Sequence, residues 1–168
     1  APVEVDPFRP AERAVREAYN SITTWVTASF AFPETSDLEG IRFAAYLASQ
    51  DLSFSPSQRS VYNVSSEVEP RPGGGELRLQ VVIPPEEAEA WEERISAVLE
   101  DLASRTLPGD VFDAHLRRFR GLRLGELMAP EDRAHEAARQ LLVTGRFQGL
   151  VPDLSEMTQQ RVREAARS

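Results

Sequence analysis

The chain has 168 residues, 41% of them apolar, which suffices for one core of ordinary size and makes a single domain the expectation. It carries a formal charge of −8, has no Cys, and draws all its fixed positive charge from Arg, with no Lys. Disulfides, thiolate nucleophiles, Schiff bases and a phosphate-gripping Lys are thereby excluded, and the acidic balance argues against nucleic acid or an anionic membrane as a partner.

No apolar run is long enough to span a bilayer, and an opening stretch with Glu4, Asp6 and Arg9 does not read as a signal peptide. Because the first residue is Ala1, a mature form or an excised fragment of a longer protein is expected. Residues 1–20 are expected as an N-terminal segment or linker, with an edge strand as one possibility. Ala14, Val15 and Ala18 there line either a helix or, through Ala14 to Glu17, an edge strand entering the sheet. The single domain is expected over 21–168.

From Ile22 to Phe32 the even positions are Ile22, Val26, Ala28, Phe30 and Phe32 with Thr24, and the odd ones are Thr23, Trp25, Thr27, Ser29 and Ala31. This period of two predicts a strand with one apolar face, stopped by Pro33. Ser36 and Glu39 have the spacing of a capping box, and Leu38, Ile41, Ala45 and Ala48 continue at helical spacing to Ser49. Val61 to Val68 alternates again, with Tyr62, Val64, Ser66 and Val68 on one side. Pro70 to Gly75 is expected as the loop of a hairpin whose second strand holds Leu77, Leu79, Val81 and Ile83.

Pro84 and Pro85 end the sheet. A helix from Glu86 to Leu102 is predicted by an acidic first turn and by the stripe Ala88, Trp91, Ile95, Val98, Leu99 and Leu102. Asp110 is expected to cap the next helix, with Phe112, Leu116, Phe119 and Leu127. Pro130 opens another with the stripe Ala134, Ala138, Leu141 and Leu142, closed by Gly145, and a last helix starts after Thr158. Strands first and helices after predict an α+β fold, an antiparallel sheet with helices packed on one face.

Few residues suggest chemistry. Glu131 and His135 stand one turn apart and supply two metal ligands at most, short of the three or four a site needs. His115 has no readable nucleophile partner. Arg117, Arg118, Arg120 and Arg123 make a local basic patch, expected as a solvated or salt-bridged helix face or as a dock for an acidic domain. Asn63-Val64-Ser65 matches a glycosylation sequon by pattern only. Gly73-Gly74-Gly75 precedes a strand, not a helix N-terminus, so a hairpin reading outweighs a phosphate cradle. Trp91 belongs to an apolar stripe and is expected in the core. Trp25 falls on the polar face of its strand beside Thr23 and Thr27, so that face is expected to be exposed and to serve as a contact surface.

The order of elements, with Ser29-Phe-Ala-Phe-Pro33, Ser60-Val-Tyr-Asn-Val64, the strand ending in Pro84-Pro85, Ala137-Ala-Arg-Gln-Leu-Leu142 and Leu154-Ser-Glu-Met-Thr158, resembles a non-catalytic domain of peptidase family M16, the insulinase and mitochondrial-processing-peptidase-like enzymes. The resemblance covers 21–168. It implies the order β-α-β-β-α-α-α of the LuxS/MPP-like metallohydrolase fold and two related domains facing each other around a peptide. The family's zinc site rests on a His-x-x-Glu-His helix, which this chain lacks: its two histidines are His115 and His135, far apart in sequence. No cofactor is therefore expected in this chain, and zinc only in a partner domain or subunit.

The resemblance further implies an inactive half or partner of a zinc metalloendopeptidase, a hydrolase, with a catalytic M16 domain and peptide substrate as partners. The chain is expected to be soluble from its composition, and the choice between bacterial cytoplasm and periplasm stays open. Tyr62 matches the family's substrate-holding Tyr, whereas the Arg expected before it falls on Ser55, and Arg59 is out of register. Trp25, Thr23, Thr27 and Tyr62 are the expected binding residues. The alternative is a stand-alone interaction module that keeps the fold without proteolysis.

Overall fold

A computed structural model describes residues 15, 21–34, 36–53, 61–147, 149–151 and 153–168. The N-terminal alternatives for 1–20, as well as Ser55 and Arg59, lie outside the described residues, Val15 excepted. The elements run β1 (Thr24–Pro33), α1 (Leu38–Ser53), β2 (Asn63–Arg71), β3 (Gly74–Ile83), a 3-10 turn (Pro85–Glu87), α2 (Ala88–Ser104), α3 (Gly109–Glu126), α4 (Pro130–Thr144) and α5 (Gln159–Arg167). The fold is α+β, as the strand and helix order predicts. Four helices follow the hairpin, one more than the order β-α-β-β-α-α-α counts.

The three strands form an antiparallel sheet in the order β1-β3-β2. Pairings such as Val26↔Val81 and Val64↔Val81, then Phe30↔Leu77 and Val68↔Leu77, put the apolar positions of all strands on one face. That face is the core side: Leu77, Leu79, Val81 and Ile83 are buried, together with Val26 and Phe32. Period two in each strand thus becomes one covered face and one open face. Helices α1 and α2 pack on the covered face, and α5 packs against both of them. Trp91 is fully buried in α2, and its indole N–H donates to Glu87 Oε2 at 3.3 Å, which satisfies its one polar atom.

The hairpin is tighter than its glycine run suggests. Pro70 and Arg71 still belong to β2, and Gly74 and Gly75 already belong to β3, so Pro72 and Gly73 alone make the turn. Proline fixes its own φ near the value the first turn position needs, and Gly73 takes φ 85°, the pattern of a type II turn. Gly75 faces Phe32 across the sheet, and a Cβ there would lie 2.2 Å from the Phe32 ring, so the ring covers glycine backbone. A side chain at 75 would have to displace it.

Three helix starts differ in detail from the sequence signals. At α1 the cap is Asp37, not Ser36: Asp37 Oδ1 accepts from Gly40 N–H at 3.2 Å, while Ser36 Oγ is buried without a partner. Aspartate wins because its carboxylate is also gripped by Arg161 of α5, at 2.8 and 3.0 Å. Asp110 lies inside the first turn of α3, whose N-cap is Pro108 with no side-chain cap. α2 is preceded by a 3-10 turn, so its helix proper starts at Ala88. Thr158 caps α5 by accepting from Arg161 N–H at 3.2 Å, and Gly145 closes α4 at φ 67°, both as the sequence predicts.

α3 joins the core only through one stripe. Phe112 and Phe119 meet Phe43 of α1 with ring centroids 5.6 and 5.1 Å apart. α4 differs more sharply from expectation: its predicted core stripe, Ala134, Ala138, Leu141 and Leu142, is exposed, and none of its described side chains is buried. Helical periodicity shows that a face is apolar. It does not show what covers it.

Candidate functional site

The open face of the sheet is built from the odd residues of β1 and β2 and the even residues of β3. Across it the rows read Trp25, Val82, Asn63; then Thr27, Gln80, Ser65; then Ser29, Arg78, Glu67; then Ala31, Glu76, Glu69. The first row sets an aromatic and an apolar side chain beside the polar Asn63, the second is neutral and polar, and the last two carry the charges. Trp25 is 66% exposed, as its place opposite the core positions requires. Gln80 Nε2 donates to Thr27 Oγ1 at 3.1 Å, tying β1 to β3 in the row beside it.

The charged rows form a ladder. Arg78 donates to Glu67 Oε2 at 3.1 Å and to Glu76 Oε1 at 3.4 Å, and Arg71 donates to Glu69 Oε2 at 2.8 Å and Glu76 Oε2 at 3.5 Å. The Ser29 hydroxyl, followed by Arg78 and Arg71 against the cost of burial, holds the Glu76 carboxyl below the usual glutamate range. Glu69 hydrogen-bonds Arg71 and raises its guanidinium pKa further. Each of these groups is paired within the face, so the ladder orders the surface.

Of the four residues expected to bind, Trp25 and Thr27 share this face two residues apart. Thr23 does not belong to it. The strand starts at Thr24, and Thr23 is half-buried with its N–H donating to Ser21 Oγ at 3.3 Å. Tyr62 is 63% exposed and precedes the first residue of β2, but its N–H donates to the Val82 carbonyl at 2.9 Å. Val82 is also the register partner of Trp25, but its partner on β2 is Asn63, and Tyr62 has the even parity of the core-side positions Val64 and Val68, so the register does not put Tyr62 in the Trp25 row. The sequence reading missed the Arg78, Glu76, Glu67 and Arg71 ladder. Its signal, opposite charges at alternate positions of two strands, becomes legible only once the register pairs them.

The remaining candidates scatter. His135 and Glu131 are exposed on α4, and among the described residues no group of three or more His, Asp or Glu could hold a metal ion. His115 is half-buried with Nδ1 3.4 Å from the Tyr46 hydroxyl, a contact that places it against the α1 to α3 aromatic cluster. Burial raises the Tyr46 pKa, with Arg118 opposing. Arg117, Arg118 and Arg120 are exposed, while Arg123 is half-buried and pairs with Glu126 one turn on. Asn63 of the sequon is exposed at the first residue of β2. No helix among the described residues is long and apolar enough to cross a membrane.

No family profile matches this chain, and no curated protein matches it. Solved structures do. A mutant of the ferredoxin protease FusC, in complex with Arabidopsis ferredoxin, is similar with a TM-score of 0.58 and 16% identity over 86% of this chain. A conserved protein from Enterococcus faecalis is similar with a TM-score of 0.55 and 13% identity over 84% of this chain. At such identities the likeness is one of fold. The chain spans 17% of the first of these chains and 36% of the second.

Proposed function

We propose that this chain is a catalytically inactive M16-like domain, the non-zinc half or partner of a zinc metalloendopeptidase, and that its open sheet face forms the wall of a peptide chamber. The observation that carries the reading is the exposed Trp25 on a sheet face that no helix among the described residues covers. A tryptophan in water on an ordered, ladder-bonded surface stabilises the fold little and suits contact with another chain. The order of elements and the fold likeness to a protease crystallised with a protein partner support it. Trp25 is the aromatic contact of that face, Thr27 a hydrogen-bonding neighbour, and the charged ladder the polar margin, with the exposed Tyr62 beside its β2 end. Zinc belongs to a partner domain. Catalysis of this class needs three protein ligands and a carboxylate that activates water, and the residues here do not form that set.

The test is a zinc determination on purified protein together with a cleavage assay and a binding titration, both against a tryptic digest of casein. The expected result is no stoichiometric zinc and no cleavage, with binding that depends on Trp25. One tightly held zinc with chelator-sensitive cleavage overturns the reading. Absence of any peptide binding removes the chamber-wall role.

A further inference from the structure

Helix α4 is built inside out. Its half-buried side includes Glu136, Arg139 and Gln140, whose polar groups are held against the body: Glu136 Oε1 accepts from Gln140 Nε2 at 3.0 Å and lies 4.0 Å from Arg42 Nη1 of α1, and Gln140 Nε2 also donates to the Gly149 carbonyl at 2.9 Å. Ala134, Ala138, Leu141 and Leu142 share the opposite side and are exposed. Met128, just before the helix, and Phe147, just after it, are exposed at its two ends. A run of apolar side chains in water marks a contact surface. Since α4 meets the body through α1, which packs on the covered face of the sheet, this surface is separate from the face of Trp25.

The stripe is complementary to itself when a second α4 runs antiparallel to it. A two-fold axis at Ala138 sets Ala138 against its own copy and Ala134 against Leu142 of the second copy, so a small side chain meets a large one on each side of the axis. Alanine at the crossing lets two helix axes approach to about 8 Å, the near end of their usual range. The same axis brings Met128 to the end that carries Phe147 of the second copy, where sulfur and ring attract. It brings the exposed acidic first turn, Glu131 and Asp132, to the end of the second helix that Arg146 follows, and sets the helix dipoles head to tail. A parallel pair would set acid beside acid and Leu142 against Leu142. Size, polarity and charge all match under one operator, which a stripe shaped for an unrelated partner has no reason to satisfy.

We propose that α4 is the contact through which two copies of this chain associate, antiparallel about a two-fold axis at Ala138, burying Met128, Ala134, Ala138, Leu141 and Leu142. One helix from each copy makes a small interface, below about 1,200 Å², so the association is weak and reversible. The dimer leaves the Trp25 face open, and the proposal stands or falls separately from the peptide-binding reading above.

Sedimentation equilibrium of the native chain from about 1 μM to about 1 mM reads the association directly. The mass is expected to rise with concentration from the 18.7 kDa of one chain toward that of two. Ala138→Glu should weaken the dimer by about tenfold or more, because it opposes two like charges at the axis. The position is exposed in a single copy and glutamate is a good helix former, so the fold is kept. The chain has no Cys, so Ala138→Cys supplies its sole thiol. At the axis two Cβ atoms come within the roughly 3.5–4.5 Å that a disulfide spans, and oxidation should link this variant into a dimer far faster than Thr27→Cys on the open sheet face. A native chain that is monomeric at about 1 mM overturns the proposal, whether its stripe is bare or covered by another part of the chain. So does an association that Ala138→Glu leaves unchanged, or an Ala138→Cys variant that cross-links no faster than Thr27→Cys.

Discussion

The two faces of one sheet use the same three strands for opposite purposes, and the two tryptophans show the difference. Trp91, beneath the covered face, is 0% exposed with its N–H paired, whereas Trp25, on the open face, is 66% exposed. Leu77, Leu79, Val81 and Ile83 are held by packing, while their neighbours Glu76, Arg78 and Gln80 are held by hydrogen bonds and ion pairs within the surface. A covered face is specified by volume and an open one by pairing. A large aromatic belonging to neither scheme is therefore informative about function.

Trp91→Ala should produce the largest effect, a loss of about 3–5 kcal/mol in urea unfolding, because it empties the centre of the core. A loss under 1 kcal/mol would mean that the helical layer is not packed on the sheet as described. Asp37→Ala comes next, at about 1–2 kcal/mol, since it removes the α1 cap and a partly exposed, bidentate pair with Arg161. Asp37→Asn should retain part of that as a cap.

The pH dependence of Asp37 has a definite sign. Burial alone would raise its carboxyl pKa, but Arg161 and the Gly40 N–H outweigh burial and hold it below the usual range. A depressed folded value means stability present above the unfolded aspartate pKa, about 3.9, and lost as pH falls through the folded one. The gap between the native chain and Asp37→Ala should accordingly be full at neutral pH and narrow in acid below that value. A gap that widens in acid would contradict the pairing.

Arg78→Ala should cost less, about 0–1 kcal/mol, because exposed ion pairs contribute little. Chemical denaturation at low and high salt checks it, with the cost shrinking as salt rises. A cost of several kcal/mol would show that the ladder holds the sheet together and does not merely order its surface.

The strands and the hairpin were legible because period two leaves few choices: Leu77 to Ile83 alternates buried with half-buried residues throughout, and from Val26 to Phe32 the even positions are the less exposed, with Ala31 the one odd position that is half-buried. Trp25 was legible for the same reason. The caps were less so, since Ser36 and Asp37 are both good cap residues and the decision came from Arg161, more than a hundred residues away. Thr23 was misplaced by one step at a strand end, where pairing, not pattern, sets the boundary. The stripe of α4 reads like a core stripe, yet Leu142 is 80% exposed, because amphipathicity carries no information about which partner is present. The charged ladder required the β2 to β3 register. No local signal supplies it.

The most direct test of the open face as a contact surface is the Trp25→Ala chain, unfolded in urea and titrated with the casein digest beside the native chain. The account predicts stability within about 1 kcal/mol of native, far from the 3–5 kcal/mol of a buried aromatic, together with binding weakened by about tenfold or more. A stability loss of core size with unchanged binding would contradict it and show that Trp25 serves the fold.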